Sequence, residues 1–166
     1  MYVDRFCCNL GTYVMASTES ALVWLAPEDQ RAALPWAPDV DEVRPGGCIN
    51  ARAAAELREY LAGQRRSFSV PLDLRGSSFQ RQVWEALLRI PFGETRSYAG
   101  IAREVGRPMA ARAVGGAVGN NPIAIIVPCH RVVGANGALT GYAGGLDRKR
   151  ALLSLEAGKA SSNTFA

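Results

Sequence analysis

Histidine occurs once in this chain of 166 residues, as His130, and cysteine only at positions 7, 8, 48 and 129. Structural zinc takes four ligands from Cys and His, commonly in C-x-x-C pairs. No such pair exists, so no metal is expected, and a chain of this length needs no disulfide staples, so its thiols are expected to stay reduced. Long apolar runs are also missing: nothing approaches the roughly 18 uninterrupted apolar residues of a membrane span. The opening MYVDRFCCNLG lacks the basic start, apolar run and small-residue cleavage site of an export signal. The expectation is a soluble, cytoplasmic protein with no membrane association. Internal repeats and cofactor-binding motifs are absent as well, and no cofactor is expected.

What is present is ordinary globular composition, 48% hydrophobic and 20% charged. It allows one compact domain or two small lobes. The formal charge is +4, and its distribution says more than its sum. Residues 1–74 carry 7 basic and 10 acidic side chains, whereas residues 75–150 carry 11 basic and 4 acidic. A basic second half suits a face for a polyanion, because phosphate contacts supply most nonspecific nucleic-acid affinity. A merely solvated basic surface would look the same.

The first third alternates apolar and polar residues in short runs, RFCCNLG, TYVMAST and ALVWLA, which predicts a small antiparallel meander. After a Pro- and Asp-rich loop, LPWAPDVDEVRPGG, the stretch 50–61 reads as an amphipathic helix with Ala54, Leu57 and Leu61 on one face. SFSVPLDL then reads as an extended connector or strand. From Ser77 the period becomes helical. Ser77 is the expected cap with Gln80 three residues on, and Phe79, Val83, Trp84, Leu87 and Leu88 form the apolar face. Pro91 and Gly93 stop that helix.

Two short helices follow, over 98–105 and about 109–118, joined across Gly106, Arg107 and Pro108. Ala102 and Gly106, four apart, provide the small residue and turn glycine of a helix-turn-helix. The second helix, AARAVGGAVGN, offers almost no long polar side chain except Arg112, unlike a helix that reads base edges in the major groove. Its small residues, Ala111 and Gly115 among them, suit either close approach to a narrow groove or tight helix packing. Next, IAIIV reads as a buried strand ending at Pro128, and CHRVV, an Asn136-Gly137 corner and ALTGY as a strand-turn-strand. A last helix is expected to start at Asp147 as its cap and end at Gly158, with SSNTFA as a disordered tail.

Cys129 immediately precedes the only imidazole. A thiolate is the reactive form of cysteine, and an ordinary thiol needs a neighbouring base or positive charge to ionise at neutral pH. His130 is the candidate base. Neighbours on a regular strand point to opposite faces, so the two cooperate only if Pro128 breaks the strand or a water bridges them. Glu156 is the candidate carboxylate to fix the imidazole tautomer. The bland alternative, a small buried cysteine beside a satisfied core histidine, stays open on spacing alone.

The run NPIAIIVPCHRVVGANGALTGYAGGLDRKRALLSLE is similar to the active-site region of the O6-alkylguanine-DNA alkyltransferases, also called methylated-DNA-protein-cysteine methyltransferases. FQRQVWEALLRIPFGETRSYAGIA and AARAVGGAVGNNP extend the resemblance upstream, so that it covers about residues 77–156. Residues 1–70 resemble the family's variable N-terminal lobe only loosely, and the zinc ligands of some members have no counterpart.

The resemblance implies an α+β fold, with a small N-terminal antiparallel sheet lobe over 1–75, a mainly helical lobe with the helix-turn-helix over 76–160, and a flexible tail over 161–166. It implies that Cys129 in PCHRV accepts the alkyl group, with His130 as base through water and Glu156 orienting it. Asn121 in NNP would bond backbone around the site, and Tyr98 in RSY would donate a proton to the leaving guanine. Arg112 would enter the duplex as a finger filling the place of an extruded nucleotide, from a helix whose Ala111 and Gly115 meet DNA. Tyr142, Ala143 and Gly144 in GYAGG would form the pocket loop, and Arg131 would be a structural ion-pair partner.

The implied partner is double-stranded DNA containing alkylated guanine, met by a monomer, and the implied reaction is a single irreversible transfer. Two other readings compete with it. A noncatalytic lesion binder on the same scaffold would lack the acceptor cysteine. A Cys-His hydrolase would turn over, but no Gly-rich oxyanion loop is evident.

Overall fold

A computed structural model describes residues 1–33 and 45–158. Most of the Pro/Asp-rich loop and the SSNTFA tail lie outside the described residues. The chain divides into two compact units, one spanning Met1–Asp73 and the other beginning at Leu74.

The first unit is built on the expected meander: β1 (Tyr2–Cys8), β2 (Gly11–Ser17) and β3 (Leu22–Pro27), antiparallel in the order β1-β2-β3. Phe6 pairs with Tyr13 and Met15 with Leu25, so alternate residues put a continuous apolar layer on one face. Ala16, Val23 and Trp24 form a second buried cluster. A 3-10 turn, Glu28–Ala33, follows β3.

Helix α1 (Cys48–Leu61) lies against this sheet, with Arg58 stacked 5.5 Å from the Phe6 ring centroid. Its buried face is Ala53, Leu57 and Tyr60 together with Asn50 and Glu56, not the expected Ala54 and Leu61, which are only half-buried. The face is rotated because it also carries polar anchors. Asn50 donates to Asp4 at 2.9 Å, and Glu56 accepts from Ser69 and Val70 of the connector. That connector adds a single parallel bridge to the sheet, Leu22 with Leu72.

The second unit opens with α2 (Ser78–Leu88), whose start is the expected capping box: the Ser77 hydroxyl accepts from Gln80 N and the Gln80 carbonyl oxygen accepts from Ser77 N. Val83, Trp84, Ala86 and Leu87 are buried. Leu88, expected inside, is 42% exposed on the final turn. Helix α3 (Tyr98–Glu104) and helix α4 (Ala111–Gly119) form the helix-turn-helix, and α2 packs on both. Trp84 Nε1 donates to Ala117 O at 2.8 Å, fixing α2 against α4 through a buried polar bond.

Gly106 takes φ +76, and bonds from Arg107 N to Ala102 O and Gly106 N to Arg103 O close α3 in a Schellman turn. Only glycine enters that left-handed position cheaply. Helix α5 (Leu146–Glu156) starts one residue before Asp147, capped by Gly145 at φ +93 with no side-chain cap; Asp147 instead sits in the first turn, where its charge favours the helix dipole.

Candidate active site

The segment between α4 and Cys129, expected as a strand, is a succession of tight turns. Asn121 organises it: its Nδ2 donates to Val127 O at 2.8 Å and its Oδ1 accepts from Ile123 N at 3.0 Å. Inside this clamp Ile126 N bonds to Ala124 O, leaving Ile125 at φ +69. A β-branched residue in the left-handed region costs about 1–3 kcal/mol and persists only where its surroundings overdetermine it. A second three-residue turn follows at Pro128, where Cys129 N bonds to Val127 O at 2.8 Å. Val127 O therefore accepts from both Asn121 and Cys129.

Pro128 caps a single 3-10 turn, Cys129–Arg131. The strand is broken here, so Cys129 and His130 do not alternate across a sheet. A two-residue strand β5 (Val132–Val133) comes next and pairs in parallel with β4 (Arg96–Ser97), directly before Tyr98. This ladder, unforeseen from sequence, ties the start of α3 to the PCHR turn. The Asn136-Gly137 corner forms, with Gly137 at φ +78 and Gly134 N bonded to Ala138 O, but ALTGY is not a strand.

His130 is fully buried, and its Nε2 lies 2.8 Å from Glu156 Oε2. An ionised carboxylate only accepts, so Nε2 carries the proton and Nδ1 presents a lone pair. Among the described residues Nδ1 has no hydrogen-bond partner. Glu156, at the end of α5, is shared. Arg131 donates Nε to Oε1 at 2.8 Å and Nη2 to Oε2 at 2.9 Å, and Gly93 N reaches Oε1 at 3.3 Å. Arg131 also donates Nη1 to Ile90 O at 2.7 Å. The expected ion-pair residue thus holds the same carboxylate as the histidine. Burial lowers the imidazole pKa, Glu156 opposes this, and the positive charges of Arg131 and Lys149 reinforce it.

Cys129 is 6% exposed. Burial pushes its thiol pKa up; hydrogen bonds from the Asn121 and Tyr142 side chains and the charge of Lys149 pull the other way without reversing the shift. Both shifts favour the uncharged forms of the thiol and the imidazole.

Lys149 was not read from the sequence. It is fully buried, donates Nζ to Thr140 O at 3.0 Å, and has its pKa lowered by desolvation against the pull of Cys129. The available signal was spacing: Lys149, Leu152 and Glu156 are three and seven apart and form the buried face of α5. A lysine at that period on a buried face needs a reason.

The remaining expected residues surround this centre. Tyr98 is half-buried at the first position of α3, its Oη accepts from Thr140 Oγ1 at 3.3 Å, and a Cβ on Gly115 would lie 3.8 Å from its ring. A Cβ at Gly144 would come within 2.8 Å of the Tyr142 ring, so any side chain there would displace that ring. Ala143 is exposed and Ala111 half-buried. Arg112 projects from α4 as an exposed side chain and takes no part in the bonds that hold Cys129. Cys7 and Cys48 are exposed and Cys8 half-buried, all in the first unit. Among the described residues no group of three or more His, Cys, Asp or Glu could hold a metal ion, and no helix is long and apolar enough to cross a membrane.

Fold and site together define a class: a protein whose second unit joins a helix-turn-helix to one buried thiol beside a carboxylate-bound imidazole. Residues 78–158 match the family model described as 6-O-methylguanine DNA methyltransferase, DNA binding domain. The chain is 62% identical over 151 residues to the methylated-DNA–protein-cysteine methyltransferase of Mycolicibacterium paratuberculosis, across 89% of this chain and 87% of that protein. It is 58% identical over 128 residues to the protein of the same name from Mycobacterium tuberculosis, across 77% and 73%. The crystal structure of Mycobacterium tuberculosis OGT in complex with DNA superposes with a TM-score of 0.87 at 47% identity, covering 98% of this chain and 96% of that one. The chain belongs to the methylated-DNA–protein-cysteine methyltransferase family.

Proposed function

We propose that this protein repairs alkylated DNA by transferring the alkyl group of O6-alkylguanine to Cys129, once per molecule. The carrying observation is the PCHR turn itself, which presents one buried thiol beside an imidazole whose far nitrogen is already committed to Glu156. In this reading residues 76–160 carry the chemistry and residues 1–75 form an N-terminal α/β lobe. The protein acts as a cytoplasmic monomer on double-stranded DNA containing alkylated guanine.

The target nucleotide is extruded from the duplex, and Arg112 fills the gap from α4, a helix smooth enough at Ala111 and Gly115 to approach the groove closely. The base enters the pocket bounded by Tyr98 and the loop of Tyr142, Ala143 and Gly144. His130 takes the thiol proton at Nδ1 through a solvent molecule, while Glu156 steadies the ring that becomes positive. The sulfur forms a bond to the alkyl carbon as the bond from that carbon to guanine O6 breaks. Tyr98 gives the departing guanine its proton and recovers one from His130 through solvent, so the thiol proton ends on the base. Lys149 offsets negative charge on sulfur during the attack, and Asn121 holds the turn that aims it.

The product is a neutral thioether with no proton to lose, and the protein is spent. Replacing Cys129 with Ser tests the reading: transfer is expected to vanish while binding to alkylated duplex survives. Retained transfer in Cys129→Ser would remove Cys129 from the role.

A further inference from the structure

Thr140 belongs to no part of the reaction described above, yet it joins its two ends. Its carbonyl accepts from the buried Lys149 ammonium at 3.0 Å, and Lys149 is the positive charge that acts on Cys129. Its hydroxyl donates to Tyr98 Oη at 3.3 Å. Residues 138–145 form no helix or strand, so little in the local backbone fixes where Thr140 sits. The bond to Lys149, which is fully buried on α5, supplies that anchor.

A phenol oxygen that accepts one hydrogen bond still has its own proton to donate. With the Thr140 hydroxyl occupying a lone pair of Tyr98 Oη, the phenolic proton is turned away from Thr140. The same bond stabilises the tyrosinate formed when that proton leaves, since a donor bonds more strongly to the charged oxygen than to the neutral one.

We infer that Thr140 is a positioning residue for proton delivery to the leaving base: anchored through its carbonyl to Lys149, it orients the Tyr98 hydroxyl through its own. This rests on Tyr98 being the proton donor. The Thr140 hydroxyl bonds to Tyr98, so its influence is confined to departure of the base.

The test compares Thr140→Val, Thr140→Ser and Tyr98→Phe in two single-turnover reactions of the intact protein. The first is transfer from O6-methylguanine in duplex DNA at saturating DNA. The second is alkylation of Cys129 by iodoacetamide, whose iodide leaves without a proton. Valine keeps the shape of threonine but lacks the hydroxyl, and a lost hydrogen bond of ordinary strength slows transfer about three- to tenfold. The expected result is that loss in Thr140→Val, recovery to within about twofold in Thr140→Ser, and an unchanged iodoacetamide rate in both.

Equal losses in both reactions would make Thr140 a support of the thiol and overturn the inference. So would a serine variant as slow as the valine one. Slow transfer in Tyr98→Phe with normal transfer in Thr140→Val would overturn the role of Thr140 while leaving Tyr98 as donor. Normal transfer in Tyr98→Phe would overturn the donor reading itself. Melting temperature and half-saturating DNA concentration, measured alongside, separate a folding or binding defect from a slower chemical step.

Discussion

Among the described residues two glutamates are buried, one in each unit, and they are used differently. Glu56, 4% exposed, accepts from Ser69 N, Ser69 Oγ, Val70 N and Arg52 Nε. The Ser69 and Val70 donors staple the connector onto α1, and Arg52, on α1 itself, reinforces this by donating Nη2 to Ser69 O and Ser69 Oγ. Burial alone would raise the Glu56 pKa, but the bonds from Ser69, Val70 and Arg52 outweigh it and hold it below its ordinary value. Glu156, 7% exposed, is equally well bonded, but one of its donors is an imidazole with a lone pair still available on the other side. A saturated carboxylate is a fastening. One that passes its influence through a second titratable ring can take part in chemistry.

Exchanging each acid for its amide is the strongest way to break this comparison. Glu156→Gln cannot support a positive His130 and is expected to slow alkyl transfer about 100-fold or more, the scale of an assisted proton transfer. Glu56→Gln is expected to leave transfer per folded molecule unchanged and to cost about 2–3 kcal/mol of stability through bonds weakened at a buried site, read from denaturant unfolding. Equal kinetic effects of the two would erase the distinction.

The acid limb of the stability curve sharpens it further. A carboxylate whose folded pKa is depressed adds stability above its unfolded pKa, roughly 4.3, and loses it as pH falls through the lower folded value. The native protein is therefore expected to lose stability below about pH 4.3 more steeply than Glu56→Gln. Parallel acid limbs would deny Glu56 its depressed pKa.

The next effect concerns Lys149. Lys149→Met removes the charge that opposes the burial of Cys129, so the apparent thiol pKa should rise further. Iodoacetamide alkylation at neutral pH should then slow by about tenfold for each unit of rise. An unchanged pH-rate profile would show that Lys149 serves only to anchor Thr140. The smallest effect belongs to the exposed finger: Arg112→Ala should slow repair of duplex DNA about five- to tenfold, the scale of part of an unstacking cost, and leave reaction with free O6-benzylguanine unaltered. Equal losses on both substrates would deny Arg112 a role in extrusion.

Much of the architecture was legible because it rests on local chemistry. The alternating runs before residue 27 gave the meander, Ser77 with Gln80 gave the cap of α2, and Gly106 gave the turn between α3 and α4. What failed was whatever tertiary bonding decides. IAIIV has the composition of a strand, yet the Asn121 amide bonds the backbone at both ends and folds it into turns that place Ile125 in the left-handed region. The Ala54 face of α1 gave way to the Ala53 face because Asn50 and Glu56 had partners far away in sequence.

In the site, His130 and Glu156 could be paired in advance because the chain has one imidazole and its motif is specific. Lys149 and the sharing of Glu156 with Arg131 could not, since burial of a charge is a property of three-dimensional packing. The β4–β5 ladder, two residues long on each side, is too short to leave a periodic trace.

The most direct measurement of the central claim is a titration to completion: a fixed amount of protein incubated with a large excess of duplex DNA carrying O6-methylguanine, with repaired guanine counted over time and the tryptic peptide containing Cys129 weighed at the end. Repair is expected to stop at one methyl group per active molecule, with the Cys129 peptide heavier by one methyl in place of hydrogen and the peptides of Cys7, Cys8 and Cys48 unchanged. Continued repair through several equivalents of lesion, or the methyl group on another residue, would contradict irreversible transfer to Cys129.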